Sequence, residues 1–178
     1  GFLVLLAVVG IVAVLPLMII LSIFPSTLIA HIVTQIQLRR ASHLIRSHKP
    51  FIIGITGSYG KTSTKLLLAH VLSQSPSVWS TKKSHNTAFS ISRAVVEGYE
   101  HESLMVIEYA AYKRGEIARI ASFIKPDMAI LTGLTPQHLG LFGSIDAIID
   151  AKAELVRSLP QHAVVICNEW EPKTQKIF

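Results

Sequence analysis

The first 38 residues carry no Lys, Arg, Asp or Glu, and Arg39 is the first charged side chain. Within that stretch Phe2 to Phe24 is almost wholly apolar, interrupted only by Gly10, Pro16 and Ser22. As a helix rising about 1.5 Å per residue it spans roughly 34 Å, enough for a hydrocarbon core of about 30 Å. A signal peptide has a basic start, a shorter apolar core and a small-residue cleavage site, and this segment is too long and has no basic start. A buried core helix with no polar face does not suit so small a soluble domain. The segment therefore reads as a transmembrane helix in which Pro16 is tolerated. Thr27 to Gln37 either continues the span or lies along the interface. The chain opens on Gly1 rather than Met, which reads as a piece of a longer protein, with further upstream spans left open.

Arg39, Arg40, Arg46 and Lys49 follow, with His43 and His48 among them. By the positive-inside rule this flank is cytoplasmic. The expected organisation is a membrane segment with its juxtamembrane extension over 1–36, a basic linker over 37–50, and a soluble domain over 51–178.

Charge is uneven beyond the flank. Residues 1–96 hold nine Lys/Arg and no acid, whereas 97–178 hold eight Lys/Arg and eleven acids, giving the net +6. A basic half without acids points to an anionic partner, phosphate groups or lipid headgroups. Nucleic acid is not indicated, since neither a recognition-helix pattern nor an aromatic stacking motif is present. With half of the 178 residues hydrophobic and 16% charged, the chain is not a disordered tail. Its single Cys excludes a disulfide framework and a Cys-based zinc site.

After residue 50 apolar runs alternate with helical spacing. Strands are predicted at Phe51–Ile55, Ser77–Ser80, Leu104–Glu108, Met128–Thr132 and Ala163–Cys167. Helices are predicted at Thr62–Ser73, Asn86–Gly98, Gly115–Ile124 and Ile145–Leu159. This alternation predicts an α/β fold of the P-loop type, a mostly parallel sheet with flanking helices, preceded by the transmembrane helix. Ligands in such sheets sit beyond the C-terminal ends of the strands.

The sharpest motif follows the first strand: Gly54-Ile-Thr-Gly57-Ser58-Tyr59-Gly60-Lys61-Thr62-Ser63-Thr-Lys65. Glycines let the backbone turn tightly and aim N–H groups at a phosphate, and the following helix adds its positive end. Lys61 is placed to reach the β/γ-phosphates, and the Thr62 hydroxyl to meet Mg²⁺. The usual loop has Gly five positions before Gly60, where this chain has Ile55, so the loop is a variant with glycines at 54, 57 and 60.

This stretch resembles the ATP loop of the Mur ligase family, whose members build the peptidoglycan stem peptide. Further segments carry the resemblance: His85-Asn86-Thr87, Val106-Ile-Glu108-Tyr-Ala-Ala, Gly115-Glu116-Ile117, His138-Leu-Gly-Leu-Phe-Gly143-Ser144, and Ala151-Lys152-Ala-Glu154. They span about residues 50–170, the family's central ATPase domain. The form Thr-Gly-Ser-x-Gly-Lys-Thr is most like the branch that adds D-alanyl-D-alanine to a UDP-MurNAc-tripeptide.

The resemblance implies an ATP-dependent ligase that phosphorylates a carboxylate and lets an amine attack the acyl phosphate. It implies ATP bound by Gly57, Ser58, Tyr59, Gly60, Lys61, Thr62 and Ser63, with Asn86 near the γ-phosphate and Asn168 near adenine. Asn168 departs from the family's Asn-x-Asp-Asp element, being followed by Glu169-Trp170-Glu171. Two Mg²⁺ ions are implied, held by Thr62, Glu108, His138 and Lys152. Lys61, Glu108, His138 and Lys152 form the expected catalytic set. Carbamylation of Lys152 by CO₂ would turn an ammonium into an oxygen donor, and it requires the neutral amine. The competing reading of Asn86 is an N-cap for the helix behind it, and the two roles can coexist. Glu116 reads as structural, and His85, His101 and His162 carry no assigned role.

No UDP-binding domain precedes the loop and no amine-binding domain follows it, so substrate domains are expected in the full-length protein. The chain by itself is expected to bind Mg-ATP weakly and not to turn over. Competing readings are a family member with another acceptor, of folylpolyglutamate or poly-glutamate type, and a membrane-tethered ATP-binding regulator. A GTPase is disfavoured by the lack of an Asn-Lys-x-Asp element.

Overall fold

The computed structural model describes residues 1–73, 77–82, 84–137, 139–168, 172–175 and 177. Contacts divide it into two units, 1–36 and 37–178.

From Phe2 onward the first unit is helical and belongs to α1, Phe2–His48. It is the one helix among the described residues long and apolar enough to cross a bilayer. Its serine and threonine hydroxyls are satisfied within the helix. Ser22, Ser26, Thr27 and Thr34 donate their hydroxyls to the carbonyls of Ile19, Ile23, Phe24 and Ala30. An apolar environment demands such internal pairing.

The second unit is built on a five-stranded parallel sheet in the order β2-β3-β1-β4-β5. Its strands are β1 (Phe51–Thr56), β2 (Val78–Ser80), β3 (Leu104–Glu108), β4 (Met128–Leu131) and β5 (Val165–Cys167). Its helices are α2 (Lys61–Leu72), α3 (Ala88–Gly98), α4 (Glu116–Phe123), α5 (Leu139–Phe142), α6 (Ile145–Arg157) and α7 (Pro172–Gln175). The mostly parallel α/β architecture predicted from the alternation is therefore present. α5 and α7 are additions of 4 residues each, too short to leave a periodic pattern in sequence.

Strand periodicity sends alternate residues to opposite faces. Ile53, Ile55 and Val106 meet Leu68 and Leu72 of α2 on one face. Ile52, Met105, Ile107 and Ala129 meet α3, α4 and α6 on the other, through Ile91, Val95, Ile117, Ile120 and Leu155. Central strands buried on both faces are why β1 and β3 read as unbroken apolar runs.

Two sequence expectations are corrected. Residues 37–50 read as a basic linker, but 37–48 are the last turns of α1, and Leu38, Ala41, Ser42 and Ile45 are buried. Arg39, Arg40, His43 and Arg46 occupy the exposed side of these turns. The segment is amphipathic, and its charges obscure its apolar face. Asn86 is not the cap of α3: Thr87 is, with Ser90 completing a capping box.

Candidate active site

Among the described residues, the segments that follow β1, β2, β3 and β4 line one cleft at the C-terminal rim of the sheet. The loop after β1 turns through Gly57 at φ 151° and Gly60 at φ 77°. Gly60 is the residue preceding α2, and no side chain caps that helix. Its first turn also lacks an acid. Unpaired N–H groups and the positive helix end are thus left for an anion.

A second loop, after β4, holds the first in shape. Ser58 donates its N–H to the Gly133 carbonyl at 2.8 Å and its hydroxyl to the Thr135 carbonyl at 3.0 Å. Thr132 donates its hydroxyl to the Tyr59 carbonyl at 2.6 Å. Tyr59 also forms a β-bridge with Gly133. A methyl group on Gly133 would overlap the Tyr59 ring, and one on Gly57 would strike the Thr132 hydroxyl. Thr132, Gly133 and Thr135 are functional supports that sequence reading missed. The available signal was the Thr-Gly pair at the end of a central strand.

Glu108 ends β3 and is 1% exposed. Thr62 donates its hydroxyl to Glu108 Oε2 at 2.9 Å, and Asn86 donates its side-chain N–H to Oε1 at 2.9 Å. Lys65, 0% exposed, brings its ammonium within 3.5 Å of Oε2. Asn86 is itself fixed by a main-chain bond from Ala110 to its carbonyl at 3.1 Å. The strand ends and α2 therefore deliver a carboxylate and a hydroxyl to one spot. Hard oxygen donors of this kind suit a small divalent cation.

Lys61 donates to the Ser58 carbonyl at 3.3 Å. Its pKa is lowered by burial, with Glu108 opposing the shift. Burial likewise lowers Lys65, again opposed by Glu108. Lys152, on α6, is 5% exposed and lines the same cleft as Gly57, Ser58, Lys61, Asn86 and Gln137. Burial, reinforced by the Lys61 ammonium, lowers Lys152 from 10.5 to about 8, and Glu154 and Glu116 act the other way.

Glu154 has a separate task. Its carboxylate accepts the N–H groups of Gly115 at 2.6 Å and Ala118 at 2.9 Å, capping α4 from α6. Glu116, read as structural, accepts from the main chain of Tyr112 and Lys113. The two carboxylates fix the 110–116 loop, whose Ala110, Ala111 and Tyr112 line the cleft.

Ser63 lies exposed in the first turn of α2, and Tyr59 is exposed above the loop. Asn168 follows β5; it is exposed, its carbonyl accepts from the Thr174 hydroxyl, and it is not among the described residues lining the cleft. His138 lies outside the described residues.

The family profile of the Mur ligase middle domain matches residues 55–178. The chain belongs to the Mur ligase family. Among similar proteins is the UDP-N-acetylmuramoyl-tripeptide–D-alanyl-D-alanine ligase of Synechocystis sp., 38% identical over 117 residues, which are 66% of this chain and 26% of that protein. The enzyme of the same name from Escherichia coli is 32% identical over 117 residues, again 66% and 26% of the two chains. MurF ligase from Thermotoga maritima in complex with ADP superposes with a TM-score of 0.76 at 28% identity, covering 80% of this chain and 34% of that one. MurF from Acinetobacter baumannii gives 0.72 at 28%, covering 82% and 31%. This Mur ligase chain thus spans about a quarter of the length of the curated relatives it matches.

Proposed function

We propose that this Mur ligase middle domain is the ATP-handling part of a ligase that adds D-alanyl-D-alanine to a UDP-MurNAc-tripeptide in peptidoglycan synthesis. The observation that carries the reading is the meeting of an uncapped phosphate loop and a buried lysine in one cleft, with the caged Glu108 carboxylate held behind Asn86 of its lining. The names of the relatives supply the substrates.

The residues present fit the groups implied. ATP is the phosphoryl donor, and its phosphates suit the N–H groups left open at the start of α2. Lys61 lies beside that loop to neutralise β/γ-phosphate charge. Thr62 and Glu108 are the oxygen donors for one Mg²⁺. Lys152, as a carbamate, and His138, by family resemblance, are assigned to a second. When bound, Mg²⁺ supplies charge neutralisation on the phosphates.

In the reaction a substrate carboxylate oxygen bonds to the γ-phosphorus and the bond to ADP breaks. The amine nitrogen then bonds to the acyl carbon, phosphate leaves, and the amine gives up a proton. Asn86 is assigned to orient the transferring group from its fixed place beside Glu108. Ser63 and Tyr59 are assigned to the outer side of the loop, and Asn168 to the adenine end. The organisation proposed for the whole protein has membrane segment 1–36 as a lipid anchor, the catalytic part in the cytoplasm, and substrate domains for the UDP-sugar and the incoming dipeptide.

The test is phosphate release by the protein extended to its natural ends, with Mg-ATP and bicarbonate. Release that requires both UDP-MurNAc-tripeptide and D-alanyl-D-alanine is expected. Release indifferent to either substrate overturns the assignment of acceptor and amine. On the chain itself, Lys61→Ala is expected to abolish nucleotide binding, and unchanged affinity removes the phosphate-loop assignment.

A further inference from the structure

Lys65 is a fully buried ammonium for which the proposed chemistry has no use. It lies one helical turn beyond Lys61 on α2, and its Nζ is 3.5 Å from Glu108 Oε2. Glu108 is therefore engaged on both oxygens. Oε2 meets Thr62 and Lys65, and Oε1 meets Asn86. The single negative charge expected to attract a metal is cancelled at contact distance by Lys65, and Lys61 adds a second positive charge acting on the same carboxylate.

The electrostatic consequence is direct. A bare divalent cation approaching Thr62 and Glu108 meets a cluster with no net negative charge, in surroundings that screen poorly. It must also displace protein donors that already satisfy the carboxylate. A polyphosphate reverses the sign: it brings several negative charges to the uncapped start of α2, and the metal then has an anion to follow.

We propose that Lys65 is a positioning residue that holds Glu108 against Thr62 and Asn86 and bars a bare divalent cation, so that metal is admitted only together with a polyphosphate. The inference rests on the reading of Thr62 and Glu108 as the metal pair. It adds an order of loading and names the residue that imposes it.

The experiment is a Mn²⁺ titration of the whole chain in detergent, followed by the electron paramagnetic resonance of free Mn²⁺, with and without ADP. For the wild type, Mn²⁺ is expected to bind at least tenfold more tightly with ADP than alone. For K65M, bare Mn²⁺ is expected to bind at least tenfold more tightly than to wild type, and K65M/E108Q is expected to lose that gain. A lysine with only a packing role gives the opposite sign, since its removal loosens the site. Bare Mn²⁺ affinity that is unchanged or weaker in folded K65M overturns the proposal. Should K65M fail to fold, K65Q deletes the charge and keeps an N–H donor for Glu108, and the same tightening is expected. Wild-type binding of bare Mn²⁺ as tight as with ADP overturns the proposal with no variant at all. ADP that does not bind the wild type counts against the phosphate-loop reading instead, and the bare-metal comparison of variants still decides Lys65.

Discussion

The carbamylation proposed for Lys152 needs the neutral amine, and the lowered pKa raises its share. With its pKa lowered to about 8, the neutral amine at pH 7 is about 300-fold more abundant than at the ordinary value of 10.5. The same shift costs stability. Below pH 8 the ammonium is charged in both folded and unfolded chains, and the full penalty of burying it applies. Between 8 and 10.5 the folded chain has shed a proton that the unfolded chain keeps, so stability rises with pH; above 10.5 the penalty is gone. Lys152→Met is therefore expected to stabilise the chain at pH 7 by up to about 3 kcal/mol, and by progressively less as pH rises through that window. Urea midpoints of both proteins at pH 7 and pH 9.5 check it, and a gain that does not shrink with pH removes the cause given. Gly133 offers a second residue-scale test. A methyl there meets the far end of the exposed Tyr59 ring, which can turn aside, so Gly133→Ala is expected to cost less than about 1 kcal/mol. Adding Tyr59→Ala should recover part of that loss in a double-mutant cycle, and strict additivity would contradict the contact.

Unlike α2, the helices α3, α4 and α6 are held at their starts by side chains. Glu154 satisfies two main-chain donors at the start of α4 while riding on α6. Glu154→Ala is expected to cost about 1–3 kcal/mol in thermal or urea unfolding. A cost near zero would mean that water replaces the carboxylate freely. How much of this was legible in sequence follows from where each signal resides. β1, β3 and β4 were legible because strands buried on both faces must be continuous apolar runs, and the phosphate loop because its glycines, lysine and helix start are contiguous. The cap of α3 was misplaced by one residue, since Asn86 and Thr87 are both competent caps and only the tertiary pull of Glu108 on Asn86 decides between them. Lys65 was illegible as a partner of Glu108. The two lie 43 positions apart in sequence, and nothing in the repeat of α2 marks a lysine as its inward residue. Thr132 and Gly133 left only the weak mark of a Thr-Gly pair at a strand end, their role arising from one loop packed against another.

At the scale of the whole molecule, the boundary that matters is the one the charge pattern hid. The contact-defined unit begins at Gln37, and Ala41 and Ile45 belong to the same core cluster as Trp79, Tyr99 and Met105. His48, at the end of α1, stacks on His101 at 3.7 Å between ring centroids within this same unit. A chain starting at 37 is expected to unfold cooperatively and to keep its secondary structure. A chain starting at 51 lacks Leu38, Ala41 and Ile45 and should be less stable by about 3 kcal/mol or more, from the burial of two large aliphatic side chains. Urea melts of the two truncations check this, and equal midpoints would show that the end of α1 contributes nothing.

The uniform direction of the five strands also has a practical side. Every turn that builds the cleft leaves one rim of the sheet, so the turns on the other rim are spare. Pro160, Gln161 and His162, exposed between α6 and β5, lie on that spare rim. A fluorophore, an affinity tag or a surface tether placed there would sit on the far side of the sheet, out of the path of anything entering the cleft.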